Sequence, residues 1–383
     1  MTGSNPVAPT ESSKPLALPL RAEEEGMRIP ASALHDLVLA MVKSTGVPPS
    51  DAAIVTEGLV GADLRGMNSH GVLRLPVYIK RLLAGGFSTA GNIEILKDGT
   101  ATALIDGCNG LGAVVTTKAM DLAIAKARNS GIGAVAIRNS NHNGEGAPYA
   151  LRAVQQDMIG LATTNGAPMM PVWGGRDPMT GPLPLTFAVP AGEEWPIVYD
   201  AALAMSSRGK ILYYAGKQLE LPDGWLVDAD GRPTNDPEWV RKGGWILPIG
   251  GDKGYKGWGL ILMCELLTGF LSGGAISGEM NDLYADLTQG QHVSHFCMAI
   301  NIGAFIDVGF FKQRVDGHIR RIKASRGVPG AEPIVLPGEK EFRNEERQRV
   351  EGVVLARSVL DELLAAAKGL GLVVETRDWP IAG

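Results

Sequence analysis

Residues 62–76 read Ala62-Asp63-Leu64-Arg65-Gly66-Met67-Asn68-Ser69-His70-Gly71-Val72-Leu73-Arg74-Leu75-Pro76. Glycines and short polar residues here separate two apolar, helix-patterned segments, so the stretch marks a junction between helices. A junction can hold an imidazole out into a cleft, where a group titrating near neutrality delivers or accepts a proton. His70 stands at that place, with Ser69 beside it to orient the ring or to hydrogen-bond a substrate oxygen. With a helix starting near Gly71, Arg74 falls about one turn after His70 and Tyr78 continues the face. An imidazole beside a guanidinium fork suits a substrate that carries a carboxylate next to a carbonyl. The same spacing also fits a helix-cap histidine followed by a surface arginine.

Working outward, the apolar spacing predicts helices over Ser32–Lys43, from Ser50 (as N-cap) to Leu64, and over Leu73–Leu83. Residues 1–26 read as a flexible arm. After Asn92 the pattern changes to short strands, Ile93–Leu96 and Ala101–Ile105, around the turn Asp98-Gly99. An amphipathic helix over Ala113–Arg128 and the apolar strand Ala134–Ile137 follow. Beyond them come a helix over Pro148–Gln156 and strands over Ile159–Thr163, Leu185–Val189 and Ile197–Tyr199. Trp258–Leu271 is apolar around most of its circumference and reads as a buried helix. His295–Ile300 reads as a strand, and helices over Phe310–Ser325 and Asn344–Lys368 close the chain. This is mixed α/β material, with opening and closing helices packed together around an inserted sheet domain.

Composition excludes several classes. Lys plus Arg number 36 against 41 Asp plus Glu, a formal charge of −5 over 383 residues, so no basic stripe awaits nucleic acid. Cys108, Cys264 and Cys297 are too few and too scattered for a disulfide framework or a zinc site, and no metal is expected. The longest apolar stretch is interrupted by Glu265 and too short to span a bilayer, and no signal peptide is apparent; a cytoplasmic protein is the expectation. Glycine is over-used, 50 of 383 or about 13% against a usual ~7%, which implies many close backbone approaches.

Other candidates lie along the chain. His142, in Asn139-Ser140-Asn141-His142-Asn143-Gly144-Glu145-Gly146, follows an apolar strand; it is either a ligand group at a strand end or part of a polar turn. Asp200 ends the strand Pro196–Tyr199, where a carboxylate fixes a histidine tautomer, binds a ribose hydroxyl or caps a turn. The glycine-rich run Pro248–Leu260, with Tyr255 and Lys256, opens a helix and either favours a phosphate or is a solvated loop. It is neither a Walker A motif nor a Rossmann fingerprint. Glu265 is either a functional carboxylate or, more in keeping with its apolar helix, half of a buried ion pair.

Taken in order, several short pieces carry a resemblance. They are the 62–76 stretch, Ser140-Asn141-His142, Pro171-Val172-Trp173-Gly174-Gly175, Gly209-Lys210-Ile211, Gly231-Arg232-Pro233-Thr234, Lys256-Gly257-Trp258-Gly259-Leu260 and Pro337-Gly338-Glu339. The sequence resembles the malate/L-lactate dehydrogenase family of non-Rossmann NAD(P)-dependent oxidoreductases over about Ser32–Gly371. The resemblance implies an α/β fold with a largely antiparallel central sheet flanked by helices. It divides the chain into the arm 1–26, a helical domain of 27–90 with 305–383, and an NAD(P)-binding catalytic sheet domain of 91–304. It implies a homodimer using NAD or NADP, with a 2-oxo or 2-hydroxy carboxylic acid as substrate; a cyclic imine carboxylate is the alternative, and a catalytically silent binding protein the outside one. By the same resemblance His70, Ser69, His142 and Asp200 are the catalytic candidates and Arg74 the carboxylate clamp. Val198, Tyr199, Asp200, Ala201, Thr180, Tyr255, Lys256, Gly338, Glu339 and Lys340 are the implied cofactor contacts.

The sequence departs from the family pattern where Ala201-Ala202-Leu203-Ala204 replaces Met-Ala-Thr-Ser and Met179-Thr180-Gly181-Pro182 replaces Gly-Thr-Asn-Pro. Asn143 replaces an aromatic after the second histidine, and Gly166 a common serine. These changes remove hydroxyl and amide donors, and they point to a divergent branch.

Overall fold

The computed structural model describes residues 26–330 and 332–374. The expected arm therefore lies outside the described residues, except for Gly26, which opens strand β1 (Gly26–Ile29). Helices α1 (Ala31–Ser44) and α2 (Pro49–Leu64) follow. α2 is capped by Pro48 and starts on Pro49, a residue preorganised for a first helical turn, so Ser50 sits inside the helix and is not its cap. Two 3-10 turns, Asn68–His70 and Val72–Arg74, come before α3 (Leu75–Ala84), which begins later than expected because Pro76 fits its first turn.

The sheet begins with the hairpin β2 (Glu94–Asp98) and β3 (Thr102–Asp106). Helix α4 (Gly112–Ser130) crosses over to β4 (Ile132–Ser140), which pairs parallel with β3. After α5 (Ala147–Val154) come β5 (Met158–Thr164), the short β6 (Met170–Pro171) and β7 (Pro178–Thr180), β8 (Pro184–Val189) and β9 (Ile197–Ala202). Helix α6 (Arg208–Gly216) leads to a small sheet of β10 (Leu226–Val227), β11 (Pro233–Thr234) and β12 (Trp245–Ile246). Then come α7 (Tyr255–Glu265), continued as a π-helix over Leu266–Phe270, and β13 (Val293–Asn301). The chain closes with α8 (Val308–Lys323), α9 (Glu339–Glu351), β14 (Val353–Ala356) and α10 (Arg357–Gly369).

The seven-stranded sheet has the order β2-β3-β4-β13-β5-β8-β9. Every neighbouring pair except β3 with β4 is antiparallel, so the sheet is largely antiparallel, as the resemblance implied. α4 packs on it through Val115, Ala119, Ala123 and Ala127; these small side chains let the helix lie close to β4 and β13. A separate core joins the two ends of the chain: Leu34, Val38 and Met41 of α1 meet Leu75 of α3 and Leu360 and Leu363 of α10.

Three expectations are corrected. Asn344–Lys368 is not one helix: Gly352, at φ +92°, ends α9, and the β-branched Val353-Val354 lead β14, which pairs antiparallel with β1. The Trp258–Leu271 segment is not buried all round; Leu260, Met263, Leu266, Phe270 and Leu271 are exposed. Glu265 forms no ion pair among the described residues; its carboxylate accepts from the Ser277 backbone N–H (2.7 Å) and hydroxyl (2.8 Å).

Candidate active site

The junction after α2 is held by Asp63. Its buried carboxylate accepts the Val72 backbone N–H at 2.7 Å, which fixes the second 3-10 turn against the end of α2. A Cβ on Gly71 would overlap that carboxylate, so the turn needs glycine there. Burial pushes the Asp63 carboxyl up to about 7, against the Val72 hydrogen bond. The turns set His70 Nδ1 3.0 Å from the Ser69 hydroxyl, and Arg74 Nε donates to the Ser69 carbonyl at 2.7 Å. Arg74 Nη1 also donates to the Tyr284 hydroxyl, and the guanidinium lies 5.8 Å from the Tyr284 ring centroid. Nη2 of Arg74 keeps no hydrogen-bond partner among the described residues.

His142 comes to the same place from the end of β4. Asn141 anchors the loop by donating to the Asn109 and Gly110 carbonyls and accepting the Gln291 N–H; Gln291 Oε1 in turn accepts the His142 N–H at 2.9 Å. The His142 ring stacks on His70 with centroids 5.7 Å apart and planes 6° from parallel. Tyr78 does not continue the Arg74 face; it turns inward, and its buried hydroxyl lies 2.5 Å from His142 Nδ1. Burial, then Arg74, pushes the His70 imidazole down to about 4. Burial and the neighbouring His70, Arg74 and His295 put His142 well below the usual histidine range. Both rings are therefore neutral at pH 7, each with one N–H and one free nitrogen, and neither holds an extra proton in reserve.

A cleft of about 350 Å³ opens beside this cluster, walled by Arg65, Glu145, Val198, Tyr199, Asp200, Gly338 and Lys340, among others. The 335–341 strip is laced to β9 by the Val198 N–H donating to the Pro337 carbonyl at 3.0 Å. Gly338, at φ +89°, lets the strip lie this close: a Cβ there would stand 2.9 Å from Val198 Cβ. Asp200 holds no histidine. Its carboxylate accepts the Thr186 hydroxyl at 2.8 Å and the Ala147 N–H, at the start of α5, at 2.7 Å. Burial raises its pKa, and those hydrogen bonds and Arg65 pull the other way. Ala201 continues β9 opposite Leu185. Glu339 is buried and turned to its own helix and α8: it accepts the Leu336 N–H and pairs with Lys323 at 3.2 Å and with Arg343. These contacts outweigh the upward push of burial and hold its carboxyl below the usual range.

At the back of the cleft Arg65 Nη2 lies 2.9 Å from Glu145 Oε1, each residue only 6% exposed. Arg65 Nε and Glu145 Oε2 have no hydrogen-bond partner among the described residues. Burial pushes the Glu145 carboxyl up to about 8, opposed by Arg65 and aided by Asp200, Glu341 and Glu345. Unsatisfied buried polar atoms facing a cleft, with a glycine-floored wall, fit a polar ligand rich in hydroxyls and phosphates, as a nicotinamide dinucleotide is. Thr180, Tyr255 and Lys256 are not among the residues walling this cleft. The buried Thr180 hydroxyl has no partner among the described residues, Lys256 is exposed, and Tyr255 lies edge-on to Trp173, with ring centroids 6.4 Å apart. Among the described residues no cluster of three metal-ligating side chains occurs.

The malate/L-lactate dehydrogenase family profile matches residues 29–364. The chain belongs to the malate/L-lactate dehydrogenase family. It is 40% identical to the malate dehydrogenase of Pyrococcus abyssi, over 91% of this chain and 97% of that protein. It is also 40% identical to the L-sulfolactate dehydrogenase of Methanocaldococcus jannaschii, over 88% of this chain and 96% of that one. The solved structure of malate dehydrogenase from Pyrococcus horikoshii OT3 superimposes with a TM-score of 0.84 at 38% identity, covering 92% of this chain and 98% of that one.

Of the residues singled out from sequence, His70, Ser69, Arg74 and His142 meet in one cluster. Val198, Tyr199, Asp200, Gly338 and Lys340 meet in the adjoining cleft. Sequence reasoning missed Arg65, Glu145, Gln291 and Tyr284 as site residues. Arg65 and Glu145 both lie within stretches already singled out for a histidine, and Glu145 did carry a signal, as the lone charge among the glycines and asparagines of 139–146. Tyr284, in an irregular segment, carried none.

Proposed function

We propose that this family member is an NAD(P)H-dependent oxidoreductase that moves a hydride between the nicotinamide and C2 of a 2-oxo or 2-hydroxy carboxylic acid. The observation that carries the reading is the His70–His142 stack with Arg74 beside it, next to a cleft whose orphaned polar atoms suit a dinucleotide. When bound, the cofactor supplies the hydride. Arg74, held on one side by Ser69 and Tyr284, offers Nη2 to the substrate carboxylate. His70 exchanges a proton with the oxygen on C2, with Ser69 steadying Nδ1; His142, locked by Tyr78, packs behind it. Val198, Tyr199, Gly338 and Lys340 line the cofactor side, and Asp200 shapes it by tying β8, β9 and α5 together. Tyr255, Lys256 and Thr180 are proposed as contacts for the far end of the same cofactor, and Glu339 as the anchor of the 335–341 strip.

The names of the two curated relatives favour a 2-hydroxy acid with a second anionic group over a cyclic imine. We infer further that the protein is a homodimer, since Leu260, Met263, Leu266, Phe270 and Leu271 would leave an apolar stripe in water. A cytoplasmic location is supported by three free cysteines, and no described helix is long and apolar enough to cross a membrane.

The experiment is loss of reduced-nicotinamide absorbance with NADH and NADPH separately, against oxaloacetate, sulfopyruvate, pyruvate and a piperideine carboxylate. Turnover of an oxo acid with either cofactor is expected. Turnover of the imine alone would overturn the substrate assignment.

A further inference from the structure

The Arg65–Glu145 pair has a second outlook. Besides walling the cleft, Glu145 lines a separate internal cavity of about 20 Å³, bounded also by His70, Tyr78, Asn143 and Tyr149. That volume is enough for one water molecule, and its walls supply the polar partners such a water requires. Glu145 Oε1 is bound to Arg65, while Oε2 is buried without a partner among the described residues. We propose that Glu145 is the proton store of the active site, connected to His70 by a single water in this cavity and to solvent through the cleft. The proposal rests on the oxidoreductase reading above.

The chemistry demands such a store. In reduction, the substrate carbonyl gains a C–H bond with the hydride that the reduced nicotinamide gives up as it becomes the oxidised ring. The carbonyl oxygen must then take one proton to become the hydroxyl. His70 and His142 are both neutral at pH 7, and a neutral imidazole that gave up its N–H without replacement would be left as an unfavourable anion. The balance closes if the Glu145 O–H bond breaks, its proton passes through the water to one nitrogen of His70, and the N–H on the other nitrogen passes to the substrate oxygen. Glu145 is left as a carboxylate facing the Arg65 guanidinium, and it is reprotonated from the cleft. Oxidation of a hydroxy acid runs the same transfers backwards.

The charged and titratable groups around Glu145 come from several elements. Arg65 faces it from the end of α2, His70 from the first 3-10 turn, Tyr78 from α3 and Tyr149 from α5. Asp200 faces it from β9, and Lys340, Glu341 and Glu345 from α9. Arg65 favours the carboxylate, while burial and the three acidic neighbours favour the acid. Their balance keeps the proton exchangeable near neutrality, as a store requires.

The test compares the full-length wild type, Glu145→Gln, Glu145→Asp and the double variant R65M/E145Q, whose neutral pair avoids an uncompensated buried guanidinium. One readout needs no turnover: the infrared carbonyl band of a protonated carboxylic acid, followed against pH in the protein alone. The band lost in E145Q should titrate out of the wild type as pH rises through about 8. The second readout is the pH profile of kcat/KM for oxo-acid reduction. In the wild type an alkaline limb should follow the same titration; in E145Q and R65M/E145Q that limb should vanish and the rate should drop about 10²-fold, with partial rescue in E145D. Absence of the infrared band, or an unchanged limb and rate in R65M/E145Q, would overturn the store and leave Glu145 as a structural partner of Arg65. Failure of every oxo acid in the wild type would count against the oxidoreductase reading alone, while the infrared readout would still decide on Glu145.

Discussion

Asp63→Asn isolates the residue on which the His70–Arg74 turn depends. Asp63 is 2% exposed and its carboxyl is pushed from 3.8 to about 7, so folding raises its proton affinity. Below about pH 4 the group is protonated in both the folded and the unfolded chain, and it adds no pH dependence. Between pH 4 and 7 the unfolded chain releases the proton that the folded chain keeps, so stability falls as pH rises through that window. Above about pH 7 the folded chain carries a buried carboxylate at full cost, about 3 pKa shifts of 1.4 kcal/mol each, or about 4 kcal/mol. Asparagine retains an oxygen to accept the Val72 N–H and cannot ionise. Its new N–H donors cost about 1–3 kcal/mol wherever they find no partner, but that cost does not vary with pH. The stability of D63N relative to wild type should therefore rise by about 4 kcal/mol from pH 4 to pH 8. Urea unfolding followed by tryptophan fluorescence at several pH values measures this, and the difference between the two proteins cancels the other titrating groups. A difference that is flat, or that shrinks with rising pH, would refute the reasoning and mean that Asp63 grips Val72 as a carboxylate.

Two further outcomes follow from the site. Arg74→Lys exchanges a fork held by Ser69 and Tyr284 for a point charge, so the KM for an oxo acid should rise about 10- to 100-fold with kcat changed much less; equal losses in both would show that Arg74 acts in the transition state instead. Gly338→Ala puts a side chain at φ +89° against Val198, so reduced-nicotinamide affinity, read by quenching of tryptophan fluorescence, should weaken about tenfold; an unchanged Kd would place the cofactor elsewhere.

Local signals carried much of this structure. α1 and α4 announce themselves through apolar periodicity, β4 and β8 through short, mostly apolar runs, and the His70 stretch through its glycines. What stayed hidden depends on contacts between distant residues. Tyr284 reaches Arg74 across 210 positions, and nothing near Tyr284 encodes that meeting. β14 forms because β1, more than 300 residues away, offers an open edge; taken alone, 344–368 is a good helix broken only at Gly352. Nor can periodicity tell an all-apolar helix buried in its own chain from one with an uncovered face, and the α7 segment is of the second kind. Asp200, expected at a strand end, lies inside β9, two residues before its end, and its partners, Thr186 and the start of α5, are set by the β8–β9 register.

The most direct test of the central claim is single-turnover reduction of an oxo acid by His70→Ala, with reduced-nicotinamide affinity measured in parallel. The account predicts a loss of about 10² to 10⁴ in the chemical step with cofactor affinity unchanged. Turnover at the wild-type rate, with only a raised KM, would contradict it and pass the proton-transfer role to His142.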